Sequence, residues 1–254
     1  MFKSCLLYTS KDILKSSLNL KEEQISDLYI AGGMTNANYH VAIDGKEYIL
    51  RIPGACTETM ISRENEKHNS ILASNIGINP KTLYFNEKTG VKVTDFISNA
   101  ETLNGKTARL EMNIKLTTKI IKELHNSSLK LYSTFDCFEE YEKYKKLIED
   151  ANASYYDGFP EMERFFYRLK TDLSRLGIHY CPCHNDLVPE NFVKDASGRL
   201  YLIDWEYSGY NDPMWDLASH LLECEFSPSE EELFLNYYFN GTVSKSAPTS
   251  AALV

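Results

Sequence analysis

The sequence predicts an α+β chain of two lobes, a small β-rich lobe followed by a larger, mainly helical one. Three observations predict it. Short apolar runs separated by turn signals crowd residues 28–97. Long helical periodicities then occupy residues 107–176. Two further short apolar runs, Ile178–Cys183 and Leu200–Ile203, carry polar residues to what should be one face. The expected division is 1–97 for the first lobe and 98–254 for the second.

The first lobe opens with a short helix over Ser10–Leu18, capped by Ser10. Leu28–Ile30 and Tyr39–Ile43 read as strands around a glycine loop, Gly32-Gly33-Met34-Thr35-Asn36-Ala37-Asn38. Asp44-Gly45 is a hairpin turn into a third strand, Tyr48–Ile52. Adjacent glycines let a backbone approach a phosphate, although a plain hairpin turn uses the same pair. Arg51 sits among apolar residues, where a cation needs an anionic partner. The helix over Ser62–Ser74 offers Glu64 and Glu66. Glu66 is the better candidate because it shares a face with Asn69 and Ala73. Thr82–Phe85 and Val91–Ile97 complete five strands. Asp95-Phe96-Ile97-Ser98 is the expected crossover, where an adenine would bond to backbone near Asp95 and Ile97.

The second lobe begins with helical patterns over 107–127, 135–152 and 161–176. The aromatic stripe of the second, with Phe138, Tyr141 and Tyr144, reads as a packing face, and His125 as a packed or capping residue. The informative stretch follows: His184-Asn185-Asp186 with Asn191 five residues after the aspartate, then Asp204 after an apolar run. This spacing suits phosphoryl transfer, which asks of a protein mainly alignment and charge neutralisation. Asp186 would accept a hydroxyl proton. Asn191 and Asp204 offer hard oxygens to magnesium. Beyond them, Glu206, Tyr207 and Trp215 combine carboxylate and aromatic faces, a setting for a soft cation. Glu223 lies two helical turns after Asp216, which is expected to begin a helix and to bond back to the loop at 184–186.

Composition narrows the partners. The chain has 254 residues, 43% hydrophobic and 25% charged, as a soluble globular protein should. A net charge of −9 weighs against nucleic acid and suits a cationic substrate. Six cysteines do not make a disulfide framework. Cys181 and Cys183 read as small buried residues rather than zinc ligands. The apolar run at Met1–Tyr8 is short for a signal peptide, and none approaches the ~20 residues of a membrane span, so a cytoplasmic location is expected.

The stretches GGMTNANY at 32–39, ILRIPG at 49–54, CHNDLVPENF at 183–192 and YLIDWEYSGYNDPMWDLASHLLE at 201–223 together resemble bacterial choline kinases, within the choline/ethanolamine kinase and aminoglycoside phosphotransferase group. The resemblance covers roughly Ile30 to Gly241 and implies a protein-kinase-like bilobal fold. It implies phosphorylation of choline to phosphocholine with ATP and Mg²⁺. The alternatives are another small alcohol (ethanolamine, thiamine or an aminoglycoside) or an inactive nucleotide-binding module. By the same resemblance Asp186 is the catalytic base, Asn191 and Asp204 are metal ligands supported by Glu206, and residues 32–38 with Arg51 hold phosphates. Glu66 is Arg51's partner, and Tyr207, Trp215 and Glu223 line the acceptor pocket. The tail Thr242–Val254 does not resemble the group's ending, so the far wall of that pocket is expected to be incomplete and a homodimer is left open.

Overall fold

In a computed structural model, the structure describes residues 2–33, 36–54, 57 and 60–241, with side chains from Ser10 onward. The first lobe is an antiparallel sheet of β1 (Ile25–Gly32), β2 (Ala37–Ile43), β3 (Lys46–Ile52), β4 (Thr82–Phe85) and β5 (Lys92–Asp95), in the order β1-β2-β3-β5-β4. Alternation drives it. Tyr39, Val41, Ile43, Tyr48, Leu50, Val91 and Val93 gather in one cluster, closed by Leu14 of α1 (Phe2–Leu18). That helix begins well before Ser10, the cap expected from sequence. Asp44 and Gly45 both take positive φ at the β2–β3 turn, as a tight hairpin needs.

Helix α2 (Arg63–Asn75) follows the third strand, with the Ser62 side chain accepting from the Asn65 N–H as its cap. Glu66, Asn69 and Ala73 do share its buried face. Asn69 ties this helix to the second lobe. Its Nδ2 donates to the Ser208 carbonyl at 3.0 Å and to Ser208 Oγ at 3.1 Å, and its Oδ1 accepts from the Tyr132 N–H at 3.2 Å.

The second lobe packs α3 (Glu111–His125), α6 (Pro213–Glu223) and α7 (Pro228–Tyr238) around Leu187, Phe192, Leu202 and Trp205. The helical hairpin α4 (Cys137–Asp150) and α5 (Phe159–Leu173) buries none of its residues fully. Small sheets hold the polar motif in place. β8 (Phe192–Lys194) pairs with β9 (Leu200–Leu202) and with β6 (Glu101–Thr102); β7 (Cys181–Cys183) pairs with β10 (Gly209–Asn211). Strand β7 is shorter than the apolar run suggested, because Ile178–Tyr180 are exposed and unpaired in any ladder. Helix α6 begins at Pro213 rather than Asp216. Asp212 caps it, accepting from the Met214 N–H at 2.9 Å, and proline suits the first turn.

Candidate active site

Strand pairing brings the polar motif together. The Ile203 N–H donates to the Asn191 carbonyl at 2.9 Å, continuing the β8–β9 ladder by one step. Asp204 therefore emerges beside Asn191. His184 Nε2 meets the Ile203 carbonyl at 3.0 Å from the other side. Both Asn185 and Asp204 take positive φ, at 67° and 65°, where Asn and Asp are the non-glycine residues best tolerated.

Asn191 orients Asp186. Its Nδ2 donates to Asp186 Oδ2 at 3.0 Å and to the Asp186 carbonyl at 2.8 Å, which leaves its own Oδ1 for another partner. Asp216 secures the loop beneath, accepting from the His184 N–H at 2.9 Å and the Asn185 N–H at 2.7 Å. His125 joins it, with Nε2 3.0 Å from Asp216 Oδ2 and Nδ1 2.8 Å from the Tyr238 hydroxyl. His125 also lies beside Cys181 and Cys183, whose sulfurs are 3.7 Å apart. Both of its ring nitrogens are already engaged. Burial explains the two thiols, and no metal is needed to account for them.

Facing this loop is a buried ionic cluster. Arg51 Nη2 lies 2.5 Å from Glu66 Oε1, and its Nη1 lies 3.0 Å from Asp204 and 3.1 Å from Glu206. Glu64 is exposed and takes no part. Two more cations enter. Arg63 Nη1 reaches Glu66 at 2.9 Å and Glu206 at 2.8 Å, and Lys92 Nζ reaches Glu66 at 3.1 Å. Burial alone would push the Glu66 carboxyl up, but Lys92, Arg51 and Arg63 outweigh it and hold it below the usual range. Burial, with repulsion from Arg51, pushes the Lys92 ammonium down despite Glu66. Burial likewise works against the Arg63 charge, and Glu206 and Glu66 overcome it. Neither Arg63 nor Lys92 was singled out from sequence. Lys92 carried the signal that picked Arg51, a cation flanked by apolar strand residues, here Val91 and Val93.

The donor set fits a metal-bound polyphosphate. Among the described residues, Arg51 Nε and Nη2 are buried without an aligned hydrogen-bond acceptor, and Asn36 Oδ1 is buried without a donor. The Arg51–Glu66 contact is thus a close charge pair whose N–H is not aimed at the oxygen. Orphaned guanidinium N–H groups suit an incoming anion. Carboxylate oxygens of Glu66, Asp204 and Glu206 lie within 4.8 Å of one another, and such hard oxygens suit magnesium.

The glycine loop stands over this cluster. Gly33 has φ +121°, and a Cβ there would collide with the Asn36 carbonyl oxygen, so only glycine fits. Gly32 ends β1, Asn38 pairs with Arg51 across β2–β3, and Asn36 Nδ2 donates to Glu206 Oε1 at 3.2 Å. Met34 and Thr35 lie outside the described residues. At the crossover, Asp95 ends β5 opposite Tyr48 and pairs with Lys46 at 3.3 Å. Ile97 follows two residues on, and both residues line a cavity of about 590 Å³ with Asn79 and Arg199.

Toward the helical side, Tyr207 is half-buried between polar and aromatic neighbours. Its hydroxyl lies 2.9 Å from that of Tyr144, and its ring meets Phe135 edge-on at 6.3 Å. Burial and the Tyr144 contact push the Tyr207 hydroxyl up. Trp215 lies 5.5 Å from Phe135, with its indole N–H 3.5 Å from the Asn185 carbonyl. Phe135 and Tyr144 were not assigned to this pocket from sequence. The helical stripe marked Tyr144 for packing, and only the fold turns it toward Tyr207. Glu223 ends α6, two turns after Asp216 as expected, and is exposed beside Cys224.

An antiparallel lobe with a glycine loop, a strand cation paired to a helix glutamate, and an Asp-Asn-Asp loop beneath define a phosphotransferase with a protein-kinase-like fold. The family model for choline/ethanolamine kinase matches residues 28–243. The chain belongs to that family. Protein LicA of Haemophilus influenzae is 35% identical over 217 residues, an alignment covering 83% of this chain and 62% of the relative. The chain thus spans less than two-thirds of that relative's length. The crystal structure of choline kinase LicA from Streptococcus pneumoniae superposes with a TM-score of 0.80 at 38% identity, covering 91% of this chain and 80% of that one. A LicA crystal structure in complex with AMP gives 0.82 at 37% identity, covering 94% and 83%.

Proposed function

We propose that the protein is an ATP- and Mg²⁺-dependent choline kinase acting in the cytoplasm, with residues 1–97 as the nucleotide lobe and 98–254 as the catalytic and acceptor lobe. What supports this reading is that the loop bearing Asp186 meets two dissimilar ends, reaching the Asp204 strand end through Asn191, and Tyr207 and Trp215 through Asn185. On one side lie the Arg51 guanidinium, whose Nε–H has no acceptor, and the glycine loop above it. On the other lie Tyr207, Trp215, Phe135 and Tyr144. Phosphates suit the first and a quaternary ammonium the second. LicA's structure with AMP supports the nucleotide end.

Asp186 Oδ2 is held by Asn191, so its Oδ1 is the atom that receives the choline hydroxyl proton. The freed oxygen forms the new bond to the γ-phosphorus, the bond to the β-phosphate oxygen breaks, and ADP carries the electron pair away. Arg51 and the backbone around Gly33 steady the phosphates, and Tyr207 and Trp215 orient the ammonium. Asn191 Oδ1 and Asp204, with Glu206 beside them, would hold magnesium, which would neutralise phosphate charge.

The test is product formation from Mg²⁺-ATP with choline, ethanolamine, thiamine and an aminoglycoside in parallel. Choline should be the preferred acceptor. Asp186→Asn should lower turnover by about 10²–10⁴-fold, the usual worth of a positioned base, while ADP binding persists. Equal or better turnover of another alcohol would overturn the substrate, and ADP binding without any product would favour a nucleotide-binding module.

A further inference from the structure

Arg63, like Lys92, is a buried charge that no part of the reaction above uses, and it alone of the two touches Glu206. It is 7% exposed, at the first position of α2. Its guanidinium is fixed on three sides. Nη1 donates to Glu66 Oε2 at 2.9 Å and to Glu206 Oε1 at 2.8 Å, and Nη2 donates to Thr57 Oγ1 at 2.7 Å. The contacts to Glu206 converge on one oxygen. Arg63, Arg51 at 3.1 Å and Asn36 at 3.2 Å all meet Oε1. Oε2 receives none of them, so the carboxylate is clamped by one oxygen while the other is left for a cation.

We propose that Arg63 is a positioning residue for metal binding: it pins Glu206 through Oε1 so that Oε2 faces the magnesium site formed with Asp204. This rests on the proposed kinase reading. The plainer role for Arg63 is as a neutralising cation for Glu66. The two roles predict opposite signs. A mere counter-ion near the metal repels it, so removing the charge should tighten Mg²⁺ binding. A positioning residue orients a ligand, and losing such an outer partner weakens metal binding. Arginine suits the second role because its planar fork can bridge two carboxylates and a hydroxyl together, and an ammonium cannot hold that geometry.

The experiment measures ADP binding to the full chain by titration calorimetry over a range of Mg²⁺ concentrations, without acceptor or turnover. Arg63→Gln should raise the Mg²⁺ concentration for half-maximal binding by about 10–100-fold, the range for loss of an outer-shell partner. Arg63→Lys should raise it too, although the charge is kept. In a Glu206→Gln background, Arg63→Gln should add no further loss. A lower or unchanged Mg²⁺ requirement in Arg63→Gln would overturn the proposal. So would an equal rise in the Glu206→Gln background, because Arg63 would then act elsewhere. Thermal unfolding without metal checks each variant. If Arg63→Gln does not fold, Arg63→Lys carries the test, and a wild-type Mg²⁺ requirement in it overturns the role. Wild-type protein whose ADP binding ignores Mg²⁺ would instead sink the kinase reading beneath it, a result distinct from any variant's.

Discussion

Asp216 shows how much one buried carboxylate can organise. It is fully buried and accepts from two consecutive backbone N–H groups and meets His125. Those donors have no water to turn to, so removing the acceptor leaves each of them unsatisfied. Asp216→Ala should therefore cost about 3 kcal/mol or more, read from the urea midpoint, at about 1–3 kcal/mol per orphaned donor. Asp216→Asn keeps one acceptor oxygen and should lose less. His220 offers a second residue-level expectation. Burial holds its imidazole down to about 4, among Phe192, Phe226 and Phe234, with Nδ1 on the Leu187 carbonyl. An unfolded chain takes up this proton near pH 6.5, and the native state does not until about pH 4. The unfolded state then binds more protons, so stability falls as pH drops through that window. Wild type should lose about 1.4 kcal/mol per pH unit more than His220→Gln there, measured by denaturant unfolding at each pH.

At the scale of elements, caps and alternation account for most boundaries. Helix α4 starts where Asp136 accepts from the Phe138 and Glu139 N–H groups, at 2.8 and 3.3 Å. Asp136→Ala should cost about 1 kcal/mol. Because α4 carries Tyr144 to Tyr207, that variant should also raise the choline KM more than it lowers kcat, which steady-state kinetics would show. The α6 start illustrates the limit of local reading. Asp216 and Asp212 both look like acids for a first turn, and the proline at 213 was the clue that Asp212 is the cap. The aromatic stripe on α4 was legible as a stripe, with Tyr141 and Phe138 packed on Phe166 of α5. Which tyrosine leaves that packing to reach the cleft depends on where the hairpin docks.

Across the whole molecule, the two lobes meet through buried charge, through hydrogen bonds and through the apolar core that Ala73 and Ile78 share with Leu202. Arg51 and Arg63 of the first lobe engage Asp204 and Glu206 of the second, and Asn69 binds Ser208 and Tyr132. Helix α2 is thereby held against residues 204–208. A ligand that binds between the lobes stabilises the native state by mass action. Mg²⁺-ADP at a hundred times its Kd should add about 2.7 kcal/mol. EDTA should remove most of that gain in a thermal-shift measurement, because metal-free ADP leaves phosphate charge beside Asp204 and Glu206. Among the described residues no helix is long and apolar enough to cross a membrane.

The sequence by itself determined the two-lobe order, the five strands, and the Asp186, Asn191 and Asp204 spacing. Those features are local: alternation, turn dipeptides and fixed separations along one short stretch. It also limited Arg51's partner to Glu64 or Glu66, and helical periodicity favoured Glu66. Tertiary structure decided the rest. Arg63 and Lys92 join the cluster from a helix start and a neighbouring strand, and Phe135 and Tyr144 join the aromatic wall from a loop and α4. The physical reason is that a buried charge or an aromatic face takes its meaning from partners far along the chain. Arg63 and Glu206 are 143 residues apart, a separation over which no periodicity carries information.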